Sequence, residues 1–186
     1  LLPLVKQGLL SSEEIIIDSK TGVSGAGRKE SITNLFAEMN ENAYAYSVSK
    51  HRHLAEIIEN LEKISGKKFA IQFTPQIIPA TRGIISTIYI KSNLSAQELK
   101  SNLADFYNDS HFVRIYPDAI PPNLKAVTGT NFCDINIYDS HNSDFKIIVS
   151  CIDNLTKGSS GQAIQNFNLI FSLPEQTGLT FQTLYP

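Results

Sequence analysis

Two histidines and a glutamate fall within one short stretch, His51-Arg52-His53-Leu54-Ala55-Glu56. Imidazoles exchange protons near neutral pH, and a neighbouring carboxylate can orient one or steady its charged form. Acid/base chemistry is therefore one reading of the stretch. On a strand, His51 and His53 would share a face and could hold zinc together with Glu56. A structural pair, bonded to Glu56 or simply exposed, is the third reading. No obvious nucleophile accompanies the histidines, and residue types alone leave all three readings open.

Other segments could handle anions or amides. Gly22-Val23-Ser24-Gly25-Ala26-Gly27-Arg28-Lys29 combines glycines, which let backbone amides approach a ligand, with Arg28, which can fork onto phosphate or carboxylate. It lacks the helix and following acidic residue of a dinucleotide fingerprint, and a flexible surface loop is the plainer alternative. Arg82 follows a connection stiffened by Pro75 and Pro79 and reads as an anion clamp or a solvated strand-entry charge. Thr128-Gly129-Thr130-Asn131 is a turn bearing an amide. Gly158-Ser-Ser-Gly161-Gln162-Ala-Ile-Gln165-Asn166 opens a helix whose amides suit a ligand carboxamide or a contact with other protein.

The elements that would position these groups follow from periodicity and turn residues. Residues 15–17, 43–49, 68–74, 83–91 and 112–116 read as strands, and 131–138 and 145–151 as a hairpin. Residues 53–64 read as an amphipathic helix closed by Ser65-Gly66, and 94–107 as a second, with Ser95 as N-cap and Glu98 completing a capping box. A last helix spans 162–171. Residues 19–28 and 117–123 read as loops, and 31–42 as loop with some helix. The His pair thus sits where a strand passes into a helix. The expected fold class is α+β: a largely antiparallel mixed sheet with helices on one face.

The 186 residues allow one large domain or slightly more, and 42% hydrophobic with 18% charged residues supports a real core. A net charge of −2 gives no broad pull on nucleic acid or an anionic membrane, and no apolar run approaches a bilayer span. Neither nucleic acid nor membrane is an expected partner. Cys133 and Cys151 lie in strand-like runs and read as buried free thiols of a cytoplasmic protein, with a cross-strand disulfide as the alternative. Leu1-Leu2-Pro3-Leu4-Val5-Lys6-Gln7-Gly8 reads as a helix entered partway, as in a piece of a longer polypeptide.

Six segments, in order, resemble those of the N-acetyl-gamma-glutamyl-phosphate reductases of arginine biosynthesis, members of the semialdehyde dehydrogenase superfamily. They are Gly22-Val-Ser-Gly-Ala-Gly-Arg28, His51-Arg-His53-x-x-Glu56-Ile57, Phe73-Thr-Pro75, Arg82-Gly83, Val127-Thr-Gly-Thr-Asn131, and Ile152-Asp-Asn-Leu-x-Lys157-Gly158-x-x-Gly161-Gln-Ala. The closing Leu173-Pro-Glu-Gln-Thr-Gly-Leu179 also looks like the family's C-terminus. Ala55 stands where the family usually has proline, and Gln76 where histidine is common.

The resemblance implies an enzyme that reduces an acyl phosphate to an aldehyde with NADPH, by way of a thioester on a cysteine thiolate. That cysteine would lie just upstream of Leu1, and neither Cys133 nor Cys151 matches it, so the chain alone is expected to be inactive. By the same resemblance His53 is the first choice for the thiolate's acid/base partner and His51 the second, with Glu56 orienting an imidazole. Arg28, Arg82, Ser24 and Tyr46 would contact the substrate, N-acetyl-gamma-glutamyl phosphate. Gly25, Asn131, Gln162 and Asn166 would face the nicotinamide end of NADP, most of which an upstream domain would bind; no metal is implied.

The implied architecture is that of the C-terminal domain of a glyceraldehyde-3-phosphate dehydrogenase-like enzyme, forming a homo-oligomer, dimer or tetramer. Residues 1–18 would be a remnant of the dinucleotide-binding domain, 19–157 the substrate-binding and dimerisation domain, and 158–186 a helix and tail returning to the first. The helices near 1–10 and 161–171 would pack on each other or be disordered. A stand-alone dimerisation module and a relative of aspartate-semialdehyde dehydrogenase are the alternatives.

Overall fold

A computed structural model describes residues 1–27, 30–117, 119–141 and 143–183. A seven-stranded mixed sheet runs through it. Its strands are β1 (Glu14–Gly22), β2 (Tyr44–Ala45), β3 (Ala70–Ile78), β4 (Ile84–Lys91), β5 (Val113–Ile115), β6 (Cys133–Asp139) and β7 (Phe145–Ile152), in the spatial order β2-β3-β1-β4-β7-β6-β5. The pairs β1–β3 and β5–β6 are parallel and the other four antiparallel.

Alternation along β1 sends Ile15 and Ile17 inward and leaves Ile16 44% exposed. Register carries the inward row across the sheet: Ile17 lies beside Phe73 and Ile88, Ile88 beside Ile148, and Ile148 beside Ile137. Against this row pack α1 (Leu2–Lys6), α3 (Arg52–Ser65) and α4 (Ala96–Phe106), contributing Leu4, Val5, Leu61, Leu99 and Leu103 to one core that does not include the short α2 (Phe36–Met39). Gly66, left-handed at φ 70°, closes α3, and the Ser95–Glu98 capping box opens α4.

The opposite face of the sheet presents Ile16, Tyr89, Ile147 and Tyr138 in one row and Thr87 and Val149 in the next, most of them half-buried. Toward β5 and β6, Pro117 and residues 119–127 cover this face. Arg114 holds the buried Asp134 at 2.6 and 2.9 Å and donates to the Ala126 carbonyl, while Asn136 donates to the Pro117 and Ile120 carbonyls.

Several elements differ from the sequence reading. β1 runs five residues past the short run of isoleucines, because pairing on both sides sustains Asp18 to Gly22 without apolar side chains. β3 continues through Pro75, whose missing N–H is harmless where its carbonyl accepts from Tyr46. The alternating 43–49 run pairs only at Tyr44 and Ala45, since Ser47 and Ser49 turn the chain at positive φ. A short α5 (Leu124–Val127), capped by Asn123, lies in a segment with no helical period. The residue-18 boundary expected for a remnant falls inside β1. α1 does not pair with the last helix, α6 (Gly161–Ile170): it lies against α3 and α4 with Leu4 fully buried, while α6 leaves Phe167, Ile170 and Phe171 exposed.

Candidate active site

Four loops meet at one end of the sheet, where β1 and β7 end and β4 and β6 begin. Gly22 makes a tight approach to the 80–83 segment, since a Cβ there would lie 2.8 Å from the Ala80 carbonyl oxygen and the Arg82 nitrogen. The next residues run along the 80–83 segment, with Val23 N–H donating to Ala80 and Ser24 N–H to Thr81. Ser24 and Gly25 are thereby fixed in a short 3-10 turn, Val23–Ala26.

Asp153 and Asn154, just beyond β7, tie these loops together. Asn154 receives the Gly83 N–H at 2.7 Å and donates to the Ser24 hydroxyl at 2.9 Å. Asp153 is fully buried. Its Oδ2 accepts from Gly129 N–H (2.7 Å), and its Oδ1 accepts from Leu155 (2.8 Å) and Thr156 (3.1 Å). Arg82 Nε lies 2.9 Å from Oδ2, with its N–H aimed off that oxygen, so charge holds this pair more than a directed hydrogen bond. Burial pushes the Asp153 carboxyl up, but the Gly129 amide, Arg82 and the two further amides outweigh it and hold the pKa below the ordinary value. Arg82 is thus pinned on one edge while a quarter of its side chain meets solvent. A cleft of about 680 Å³ opens beside Ser24, between Val23 and Leu35. A larger one, about 770 Å³, runs along α3 by Glu59 and Glu62, away from these groups.

The cluster continues into α6. Thr156 donates to the Thr130 carbonyl, and Asn131 Nδ2 donates to Gln165 Oε1 at 2.9 Å. Lys157 Nζ reaches the same oxygen at 2.7 Å, and burial lowers its pKa. Gln165 in turn donates to Glu175. Asn131 Oδ1 is buried without a hydrogen-bond partner and faces Gly161, where a Cβ would come within 2.3 Å of it. Gln162 and Asn166 bond each other on the outer side of α6 at 2.8 Å.

The His pair forms a separate group at the β2–β3 edge. His51 is the N-cap of α3, and its Nδ1 accepts the His53 N–H at 3.3 Å. Its ring meets Tyr46 and Phe73 edge-on at 5.4 Å and His53 at 4.7 Å. Burial, then the charges of His53 and Arg52, lower its pKa. His53 and Glu56 are exposed on the first turns of α3, and among the described residues the Glu56 carboxylate bonds neither imidazole. The zinc alternative assumed a strand, whereas the pair begins a helix; among the described residues no three His, Cys, Asp or Glu side chains converge on a metal site.

The structure therefore gathers Ser24, Gly25 and Arg82, links them through Asp153 to the Asn131 region, and places Tyr46 with His51 and His53. Phe73 and Ile78 lie five steps apart along β3, about 16 Å at the usual rise per residue. Arg28 lies outside the described residues. Asp153, Asn154 and Lys157 stand in the sixth family-like segment but carry no site role in the sequence reading, although an Asp-Asn pair closing a strand signals that a loop's amides need acceptors. Cys133 and Cys151 are free, and strand alternation puts them on opposite faces, against a disulfide. Burial raises both thiols, Cys151 to about 12, so neither is a ready nucleophile.

A seven-stranded mixed sheet with helices packed on one face defines an α+β domain. Residues 1–154 match the family model described as semialdehyde dehydrogenase, dimerisation domain, and the chain belongs to that family. The N-acetyl-gamma-glutamyl-phosphate reductase of Desulforudis audaxviator (strain MP104C) is 48% identical over 188 residues, covering 100% of this chain and 54% of that protein. That of Pelotomaculum thermopropionicum is 47% identical with the same coverage. The chain spans about half the length of the curated relatives it matches. Aspartate semialdehyde dehydrogenase II from Vibrio cholerae superposes with a TM-score of 0.71 at 13% identity, over 92% of this chain and 59% of that one. The Francisella tularensis enzyme gives 0.66 at 16%, over 91% and 60%. At such identities the likeness is one of fold.

Proposed function

We propose that this chain is the substrate-binding and dimerisation half of an NADPH-dependent reductase that converts N-acetyl-gamma-glutamyl phosphate to its semialdehyde in arginine biosynthesis, in the cytoplasm. The observation that carries this reading is 48% identity across the whole chain to a reductase of that name. Arg82, held by Asp153, offers its free edge to a phosphate or carboxylate of the substrate, with the Ser24 hydroxyl beside it and Arg28 as a second cation. Tyr46 borders the imidazoles. His53 relays a proton for a thiolate supplied from upstream, with His51 next to it, and Glu56 adds a carboxylate one helical turn on.

NADP supplies the hydride. The unpartnered Asn131 oxygen is an acceptor suited to a carboxamide N–H, and Gly25, Gln162 and Asn166 complete the residues assigned to that end. Residues 19–157 serve substrate binding and dimerisation, although β1 extends that unit back to residue 14. Residues 1–18 and 158–186 lead toward the dinucleotide-binding half, for which the exposed Phe167, Ile170 and Phe171 are a contact surface. The helix-free sheet face around Tyr89, Ile147 and Val149 receives a second copy of the chain, in keeping with the family's description as a dimerisation domain.

The test is NADPH oxidation with N-acetyl-gamma-glutamyl phosphate. The full-length reductase carrying this chain should turn over, and the 186-residue chain alone should not. Absence of turnover in the full-length protein refutes the reading.

A further inference from the structure

Histidine is a rare helix cap, and the start of α3 uses one. Asn, Asp, Ser and Thr are preferred there because a short side chain carries an acceptor back to the first free amides. His51 does this with an imidazole: φ −69° and ψ 135° place it just outside the helix, and Nδ1 accepts from the His53 amide at 3.3 Å. A ring nitrogen that accepts cannot also carry a proton. The cap therefore requires a neutral His51 with its proton on Nε2.

Three neighbours hold that ring. Tyr46 and Phe73 each meet it edge-on at 5.4 Å, and the His53 ring meets it at 4.7 Å, 67° from parallel. The anchors come from different elements: Phe73 from the middle of β3, and Tyr46 from the segment whose N–H bonds the Pro75 carbonyl. His51 is thus fixed to the sheet on one side and to the first turn of α3 on the other. His53 stands on that turn, exposed. Protonating Nδ1 would place two N–H donors face to face and release the amide of the residue that bears the second imidazole. Burial and the neighbouring positive groups His53 and Arg52 oppose that protonation.

We infer that His51 is a positioning residue, a neutral Nε2–H imidazole cap that fixes the first turn of α3 and so the placement of the His53 imidazole. The division of labour rests on the reductase reading for the chemistry of His53, but the cap and tautomer stand without it.

The experiment has two arms. On the 186-residue chain, long-range ¹H–¹⁵N spectra at about pH 7.5 should show an unprotonated Nδ1 on His51. Amide exchange at residue 53 should be about fivefold faster in His51→Ala, the loss expected for a missing cap, and within about twofold of wild type in His51→Asn, which can still cap. A protonated Nδ1, or exchange at residue 53 indifferent to both substitutions, overturns the proposal.

On the full-length reductase, His51→Ala should lower kcat with little change in KM. His51→Asn should restore most of that loss, and His53→Asn should stay impaired. If His51→Asn is as impaired as His53→Asn, His51 itself moves the proton and the positioning role is wrong. Failure of the wild-type reductase to turn over sinks the functional reading alone, and the tautomer and exchange results still decide the cap.

Discussion

Asp153→Ala is the substitution that most directly probes how the site is built. The carboxylate is fully buried and receives three backbone amides at 2.7 to 3.1 Å besides the Arg82 contact at 2.9 Å. Removing it leaves those amides without an acceptor and strands the charge of an arginine whose side chain is three-quarters buried. Breaking a buried charge pair by deleting one partner costs about 3–5 kcal/mol. The lost amide bonds belong to the same network and are not added on top. With a urea dependence of about 2 kcal/mol per M for a domain of this size, the midpoint should fall by about 1.5–2.5 M. Asp153→Asn keeps the shape and one acceptor oxygen but loses the charge, and should fall between wild type and Ala. The assay is urea unfolding followed by far-UV circular dichroism at neutral pH. An Asp153→Ala midpoint within about 0.3 M of wild type would show that the carboxylate does not organise these loops.

Gly161→Ala should destabilise by about 1–3 kcal/mol in the same assay, because its Cβ would lie 2.3 Å from Asn131 Oδ1 and 2.9 Å from the Thr156 carbonyl; an unchanged midpoint would mean that α6 shifts freely. The depressed His51 pKa contributes stability that is present above its unfolded value of about 6.5 and lost as pH falls through its lower folded value, since the unfolded chain takes up that proton first. Stability measured from about pH 7.5 down to about 5 should therefore fall less steeply in His51→Asn than in wild type, and parallel slopes would contradict this. Cys151, fully buried and with its thiol pushed to about 12, should react with a thiol reagent only as fast as the protein unfolds; rapid labelling of the native protein would refute its placement. Val149→Glu places a charge on the open sheet face and should shift a sedimenting homo-oligomer toward monomer; no shift would move the subunit contact elsewhere.

The sheet was legible where side chains alternate or cap. Ile84 to Lys91, the 133–152 hairpin and the Ser95–Glu98 box all carry local signals that survive folding. β1 was only half legible, because its second half is polar and is held by neighbours on both sides rather than by its own hydrophobicity. α1 looked like an orphan end since its partners, α3 and α4, lie far along the chain. Ser24 and Arg82 were recognisable as polar groups among glycines and prolines. The residues that join them, Asp153 and Asn154, were not, because their roles are set by amides from three separate loops and the Ser24 hydroxyl from a fourth. The two histidines could not be told apart by spacing; a backbone amide distinguishes them, and only the folded chain shows where it points.

The proposed function assigns this chain the substrate and proton-handling groups of an acyl-phosphate reductase. Steady-state kinetics of the full-length reductase with N-acetyl-gamma-glutamyl phosphate test it most directly, comparing wild type, Arg82→Ala and His53→Ala. Arg82→Ala should chiefly raise KM, and His53→Ala should chiefly lower kcat, by about 100-fold or more. Wild-type kinetics in both variants would contradict the account, and the reverse pattern would exchange the two roles.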